Sequence, residues 1–259
     1  MNNQETLIQL ESLKMKGMAQ AFSAIMNLAP HNRPPLEQIM AKMVESEILF
    51  RNERKMTMYL KTSKLRYNSV LEEVICSEQR NLTKEQLLEL SDCSFVKRAE
   101  NILITGKTGC GKSYLACAIG KQACHMGIRT EYFAMNKFIE KIAMAKIEGS
   151  FIKVINHIEK NDLIIFDDFG LQPLDTNSRL ALLQILEDFY ERKSVIITSQ
   201  LPVKNWYDYI GEPTLADAIM DRITSNSVRV EILGESMRRK QKKINTFMSS
   251  LQLFLGGSF

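Results

Sequence analysis

Residues 106–113 read Gly106-Lys107-Thr108-Gly109-Cys110-Gly111-Lys112-Ser113, which fits the pattern G-x-x-x-x-G-K-[ST] without a mismatch. Each residue type in that spacing has a physical task. The glycines let the backbone turn sharply, so that successive N–H groups converge on phosphate oxygens at the start of the following helix. Lys112 is placed to reach β- and γ-phosphates, and the Ser113 hydroxyl is a ligand for Mg2+. A second chemical cluster follows in Leu163-Ile164-Ile165-Phe166-Asp167-Asp168. Four apolar residues bury a strand and deliver two carboxylates to its end. Asp167 then stands beside the metal, and Asp168 can orient and polarise a water. A doubled carboxylate suits transfer of a phosphoryl group to water, because something must handle the nucleophile. It favours NTP hydrolysis over phosphorylation of a metabolite.

Two further groups belong to the same chemistry. Val195-Ile196-Ile197 ends in Thr198-Ser199-Gln200, any of which could sense the γ-phosphate from a neighbouring strand. Arg222 closes Asp217-Ala218-Ile219-Met220-Asp221-Arg222. On spacing alone it is either a cation for catalysis or half of a surface ion pair with Asp217 or Asp221.

The elements that must position these residues are readable from periodicity. Strands are predicted at 101–105, 130–135, 162–166, 194–198 and 228–233. Helices are predicted at 112–126, 136–146, 151–160 and 178–192. This alternation calls for a parallel sheet covered on both faces. The first ~90 residues read instead as helices, with Gly17 as a weak point, Pro34-Pro35 opening a helix that runs to about Leu60, and Thr83 as a cap. No internal repeat interrupts this order.

The 259 residues carry a net charge of +4, and the basic residues are concentrated. Arg51, Arg54, Lys55, Lys61, Lys64 and Arg66 fall within 50–67, interleaved with Phe50, Tyr59 and Tyr67, against Glu53 alone; a second cluster spans 235–243. Such patches point to a polyanion partner, while a solvated helix face is the competing reading of 50–67. The five cysteines form no C-x-x-C pair and read as small buried hydrophobes. No apolar run approaches the roughly 18–20 residues needed to cross a bilayer. MNNQETLIQL lacks the layout of a signal peptide, so a cytoplasmic protein without a membrane partner is expected.

From Leu65 to Lys243 the sequence resembles the IstB family, helper ATPases of bacterial insertion sequences, and more distantly the helicase loaders DnaC and DnaI. The resemblance is carried by ILITGKTGCGKSYLACAIG (102–120), IIFDDFGLQPLD (164–175), LLQILEDFYERKSVIITSQLPVKNWYDYIG (182–211), PTLADAIMDRI (213–223) and GESMRR (234–239). It implies an α/β fold of the AAA+ P-loop NTPase type, with a central parallel sheet flanked by helices and a small all-helical N-terminal domain. The expected divisions are a helical domain at 1–65, a helical linker at 66–98, the ATPase domain at 99–245 and a tail at 246–259. By the resemblance, Lys112, Ser113 and Asp167 hold ATP and Mg2+, and Asp168 stands where many AAA+ proteins have a catalytic Glu. By the same resemblance Ser199 is the preferred first sensor, with Thr198 and Gln200 as neighbours, Arg222 looks like an arginine finger reaching ATP on an adjacent subunit, and Arg238 like a second sensor. The function implied is an ATP-dependent helper that oligomerises on duplex DNA, largely without regard to sequence, and directs a transposase. The alternative is a replicative helicase loader, and the first ~60 residues, which grip the partner, would discriminate the two.

Overall fold

The computed structural model describes residues 2–237 and divides the chain into two compact units, with the boundary between Lys61 and Thr62. In the first unit, helices α1 (Asn3–Ser12) and α2 (Lys16–Met26) precede α3 (Leu36–Ser63). The chain breaks between α1 and α2 at Lys14, which adopts a left-handed φ of 59°, while the Met15 N–H reaches back to the Leu10 carbonyl at 2.8 Å. Gly17 is therefore not where the helix fails, as the sequence suggested. It lies in the first turn of α2, where a Cβ would sit 2.4 Å from the Ser46 carbonyl oxygen and 2.6 Å from Glu47 Cα. Its missing side chain lets α2 and α3 approach backbone to backbone. Glu47 then accepts from Gly17 N at 2.8 Å and Met18 N at 3.2 Å. No residue of α2 caps its own start, so a carboxylate from α3 satisfies those otherwise orphaned amides. Pro35 supplies the carbonyl that receives the Ile39 N–H, consistent with a proline opening α3.

In the second unit, α4 (Lys84–Ser91) and α5 (Ser94–Lys97) lead into β1 (Asn101–Gly106), α6 (Lys112–His125), β2 (Thr130–Ala134), α7 (Met135–Ile147), α8 (Phe151–Ile158), β3 (Leu163–Phe169), α9 (Thr176–Phe189), β4 (Ser194–Ser199), α10 (Trp206–Ile210), α11 (Pro213–Thr224) and β5 (Ser227–Ile232). Thr83 caps α4 as expected: its hydroxyl accepts from Gln86 N, and the Gln86 side chain accepts from Thr83 N, both at 3.1 Å.

Among the described residues the five strands are all parallel, in the order β2-β3-β4-β1-β5. Alternation along each strand assigns residues to the two faces. Ile102, Ile104, Tyr132, Ile165 and Ile196 pack with α6, while Leu103, Phe133, Ile164, Phe166, Val195 and Ile197 pack with α7, α9 and α11. Leu82, Leu90 and Phe95 belong to the α6 side of this core, so residues expected as linker are packed into the sheet unit. Among the described residues no helix is long and apolar enough to cross a membrane.

Candidate functional site

The C-terminal ends of β1, β3 and β4 meet at the start of α6, and the chemically active side chains converge there. β1 delivers the loop 106–111, and α6 begins at Lys112 behind Gly111. Two glycines of the loop are required by conformation and space. Gly111 has φ 99° and lies 3.1 Å, from where its Cβ would be, to Arg80 Nη2; Gly109 has φ 82°, and its Cβ would collide with Ser236 Oγ at 2.2 Å. Lys112 is almost fully buried and lies back across the loop, its ammonium donating to the Gly106 carbonyl at 2.8 Å and the Lys107 carbonyl at 3.0 Å. A cation held by loop carbonyls, beside backbone amides at a helix N-terminus, is a site prepared for an anion.

Asp167 is fully buried and supports four interactions. Its Oδ1 accepts from Ser113 Oγ at 2.7 Å and from the Thr198 hydroxyl. Its Oδ2 accepts from the Tyr132 hydroxyl at 2.5 Å and lies 3.5 Å from Arg66 Nη1. A buried carboxylate is tolerable only with such saturation. Asp168 differs in backbone and in environment. The β3–β4 register shifts between Phe166 and Phe169, and within that irregularity Asp168 takes a φ of 62°. Its N–H donates to Thr198 Oγ1 at 3.2 Å, and its carboxylate lies 3.3 Å from Arg66 Nη1. Burial and the adjacent Asp167 push the Asp168 carboxyl above its ordinary range, against the pull of Arg66 and Lys112. A cavity of about 800 Å³, lined by Arg66, Tyr132, Lys137, Lys141 and Asp168 among others, opens beside it.

The donor set fits a magnesium ion. The Ser113 hydroxyl and Asp167 carboxylate are hard oxygen donors, and Mg2+ is held by one or two carboxylates together with substrate phosphates and water. Among the described residues there is no cluster of three or more His, Cys, Asp or Glu that would hold a metal without such help.

The remaining expected residues are distributed as follows. Thr108 and Cys110 complete the loop; the Thr108 hydroxyl donates to Gln200 Oε1 at 2.6 Å, which brings the end of β4 against the phosphate loop. Ser199, the preferred sensor by sequence, points to the opposite face, donating to the Phe169 carbonyl at 2.5 Å and accepting from Leu201 N at 3.0 Å. Thr198 and Gln200 are the neighbours that face the loop and the carboxylates. Arg222 donates through Nη2 to Glu187 Oε1 at 3.0 Å and through Nη1 to the Ala218 carbonyl at 2.9 Å. Its partner is thus on α9 and is neither Asp217 nor Asp221. Arg238 lies outside the described residues.

The six basic residues of 51–66 separate into groups. Arg51, Arg54, Lys55 and Lys61 are exposed on α3, where Arg51 pairs with Glu47 at 2.7 Å and Lys55 lies 5.4 Å from the centre of the Tyr59 ring. Lys64 is bound to Glu131 at 3.1 Å, and Arg66 to the Asp167–Asp168 pair. These last two remain exposed, at 62% and 42% of their side chains, but each is paired with a carboxylate of the sheet unit. Cys93, Cys110, Cys117 and Cys124 are buried, and burial pushes the Cys117 thiol up to about 11, so they behave as packing residues.

Sequence reasoning did not find Tyr132 or Arg66 at the carboxylates. Both arrive through tertiary placement, Tyr132 by the β2–β3 pairing that sets it opposite Ile165, and no local motif announces either.

Residues 8–245 match the family described as IstB-like ATP binding protein. An insertion-sequence ATP-binding protein of Sinorhizobium fredii is 37% identical over 238 residues, covering 92% of this chain and 97% of that one. The insertion sequence IS21 ATP-binding protein of Pseudomonas aeruginosa is 27% identical over 239 residues, covering 92% and 90%. Among solved structures, AMPPCP-bound DnaA from Aquifex aeolicus aligns with a TM-score of 0.56 at 22% identity, over 71% of this chain and 57% of that one. The DnaC helicase loader aligns with a TM-score of 0.54 at 20% identity, over 66% and 99%. These two show a shared AAA+ fold. The family match runs through both units and includes every residue of the phosphate loop, and on that extent the chain belongs to the IstB-like ATP binding protein family.

Proposed function

We propose that the protein is an ATP-hydrolysing helper that assembles on duplex DNA and directs or activates a transposase. The observation that supports this most directly is the convergence of Lys112, Ser113, Asp167 and Asp168 at one end of the sheet in a chain whose relatives are insertion-sequence proteins. In this reading Lys112 exchanges its loop carbonyls for the β- and γ-phosphates of ATP. Ser113 and Asp167 hold Mg2+, which would supply charge neutralisation across the phosphates. Asp168 accepts a hydrogen bond from the attacking water, and Thr198 and Gln200 report the γ-phosphate to the end of β4. Arg222, on the far end of α11, serves the ATP of an adjacent subunit, so that ATP stabilises a homo-oligomer on DNA and hydrolysis releases it.

Arg54, Lys55 and Lys61 are the DNA-facing cations in this reading, with Arg51, Lys64 and Arg66 contributing as they exchange their carboxylates for phosphates. Contacts of this kind follow phosphates and read no bases, so binding should be indifferent to sequence and steeply salt-dependent. The test is DNA binding and oligomer size measured with ATP, with ADP and without nucleotide. Assembly on duplex DNA only with ATP is expected. The same species in all three states would refute the coupling, and an unchanged salt slope after replacing Arg54, Lys55 and Lys61 by Ala would return that stretch to a solvated face.

A further inference from the structure

The phosphate loop is gripped by its carbonyls as well as lined by its amides. The Cys110 carbonyl accepts from Arg80 Nη2 at 2.6 Å, and Arg80 Nη1 donates to the Ile75 carbonyl. The Gly109 carbonyl accepts from Met237 N at 2.9 Å, and the Arg80 carbonyl accepts from Leu233 N at 3.0 Å. Arg80 therefore joins three stretches far apart in sequence: residues 75–81, the loop, and the chain leaving β5. Among the described residues no carboxylate lies within ion-pair distance of it.

A trans peptide unit is planar, with its C=O and N–H directed oppositely. Whatever fixes the Cys110 carbonyl also fixes the direction of the Gly111 N–H, the amide at the very start of α6. A glycine at φ 99° has wide freedom to rotate that plane, so the loop's own sequence does not hold it. A guanidinium on the carbonyl does, and its charge polarises the peptide so that the N–H becomes a stronger donor.

We propose that Arg80 is a positioning residue of the nucleotide site: by holding the Cys110–Gly111 peptide plane it aims the Gly111 N–H at the phosphate shared by ATP, ADP and pyrophosphate, and it ties that aim to the segment after β5. The inference rests on the reading of 106–113 as a phosphate site. Arg80 touches no phosphate in this account and acts through the loop.

The test uses the full chain with Arg80→Gln and Arg80→Lys, titrated calorimetrically with ATP, ADP and inorganic pyrophosphate, alongside thermal melts without ligand. Arg80→Gln should weaken all three ligands by a similar factor of about 10, as expected for losing a charge-assisted hydrogen bond. Arg80→Lys, which keeps the charge but not the forked geometry, should recover part of the loss. In steady-state hydrolysis the change should fall on KM more than on kcat. A glycine-labelled NMR spectrum of Arg80→Lys should show the Gly111 amide displaced before any ligand is added, which keeps the idea testable if Arg80→Gln folds poorly. Undiminished affinity in a folded Arg80→Gln would overturn the proposal, as would a loss confined to ATP, which would mean direct contact with the γ-phosphate. If the parent protein binds none of the three ligands, the phosphate-site reading falls and this inference with it. Normal binding by parent and variant alike removes only the role of Arg80.

Discussion

Arg222→Ala should leave the protein folded and nearly abolish hydrolysis, and the two effects can be sized separately. The Arg222 and Glu187 side chains are 26% and 50% exposed, so their 3.0 Å pair contributes only ~0–1 kcal/mol. The bond from Nη1 to the Ala218 carbonyl adds about 1 kcal/mol. A loss of about 1–2 kcal/mol leaves a domain of ordinary stability overwhelmingly folded. A guanidinium supplied to a neighbour's γ-phosphate contributes about 10³–10⁵ in rate, or about 4–7 kcal/mol of barrier. The gap between these figures makes the assay decisive. Phosphate release would be followed on saturating DNA for Arg222→Ala alone, Lys112→Ala alone and mixtures of the two. Each alone should be inactive, and mixtures should regain part of the rate, because Lys112→Ala subunits offer an intact Arg222 to ATP held by the others. Glu187→Gln, which removes the partner but keeps Arg222, should not reduce the rate. Normal turnover by Arg222→Ala, or inactivity that no mixing ratio relieves, would refute the trans-acting role.

Asp168→Asn keeps the size of the side chain while removing the carboxylate, so ATP binding should persist, turnover should slow and the DNA-bound oligomer should last longer; turnover at the parental rate would assign the water to another group. Gly17→Ala forces a Cβ to within 2.4 Å of the Ser46 carbonyl and should destabilise the helical unit by about 1–3 kcal/mol, read as an earlier transition in urea by circular dichroism. Burial alone would raise the Glu47 pKa, but donors from Arg51, Met18 and Gly17 bring it below the ordinary glutamate value. Its native pKa being the lower one, its contribution is complete above about pH 4–5 and disappears as the pH falls through that depressed value. Glu47→Gln should flatten the acid limb of the stability curve for the helical unit, and an unaltered limb would show that other groups govern it.

How far the site was legible depended on whether its geometry is local. The loop and Asp167 are fixed by short patterns, since a buried strand must deliver its last residue to the sheet's edge and the glycines must turn there. The three sensor candidates differ in placement, and that difference is carried by the sequence. Ile196 and Thr198 share one face of β4 by alternation, with Gln200 following just past its end, while Ser199 shares the other with Val195 and Ile197, so strand period alone separates Ser199 from the α6 side. The division of 51–66 was not legible, because a charge run does not say which cations will find carboxylates after folding. Arg66 meets Asp167 and Asp168 across about a hundred residues of chain, and only the assembled sheet brings them together. Gly17 misled for the opposite reason: glycine weakens an isolated helix, but here a neighbouring backbone occupies the space a side chain would need.

The left-handed backbone at Asp168 bears on which acid stands there most easily. Aspartate and asparagine enter that region far more readily than longer side chains, because a short polar group can bond to its own surroundings, whereas a standard L-residue is penalised by roughly 1–2 kcal/mol. A glutamate would gain a methylene of reach toward water and lose that conformational tolerance. Glutamate is not barred from that region, since Glu191 adopts a φ of 56° in this same chain, so lengthening the acid by design would carry a local conformational cost of about that size within the irregularity between Phe166 and Phe169.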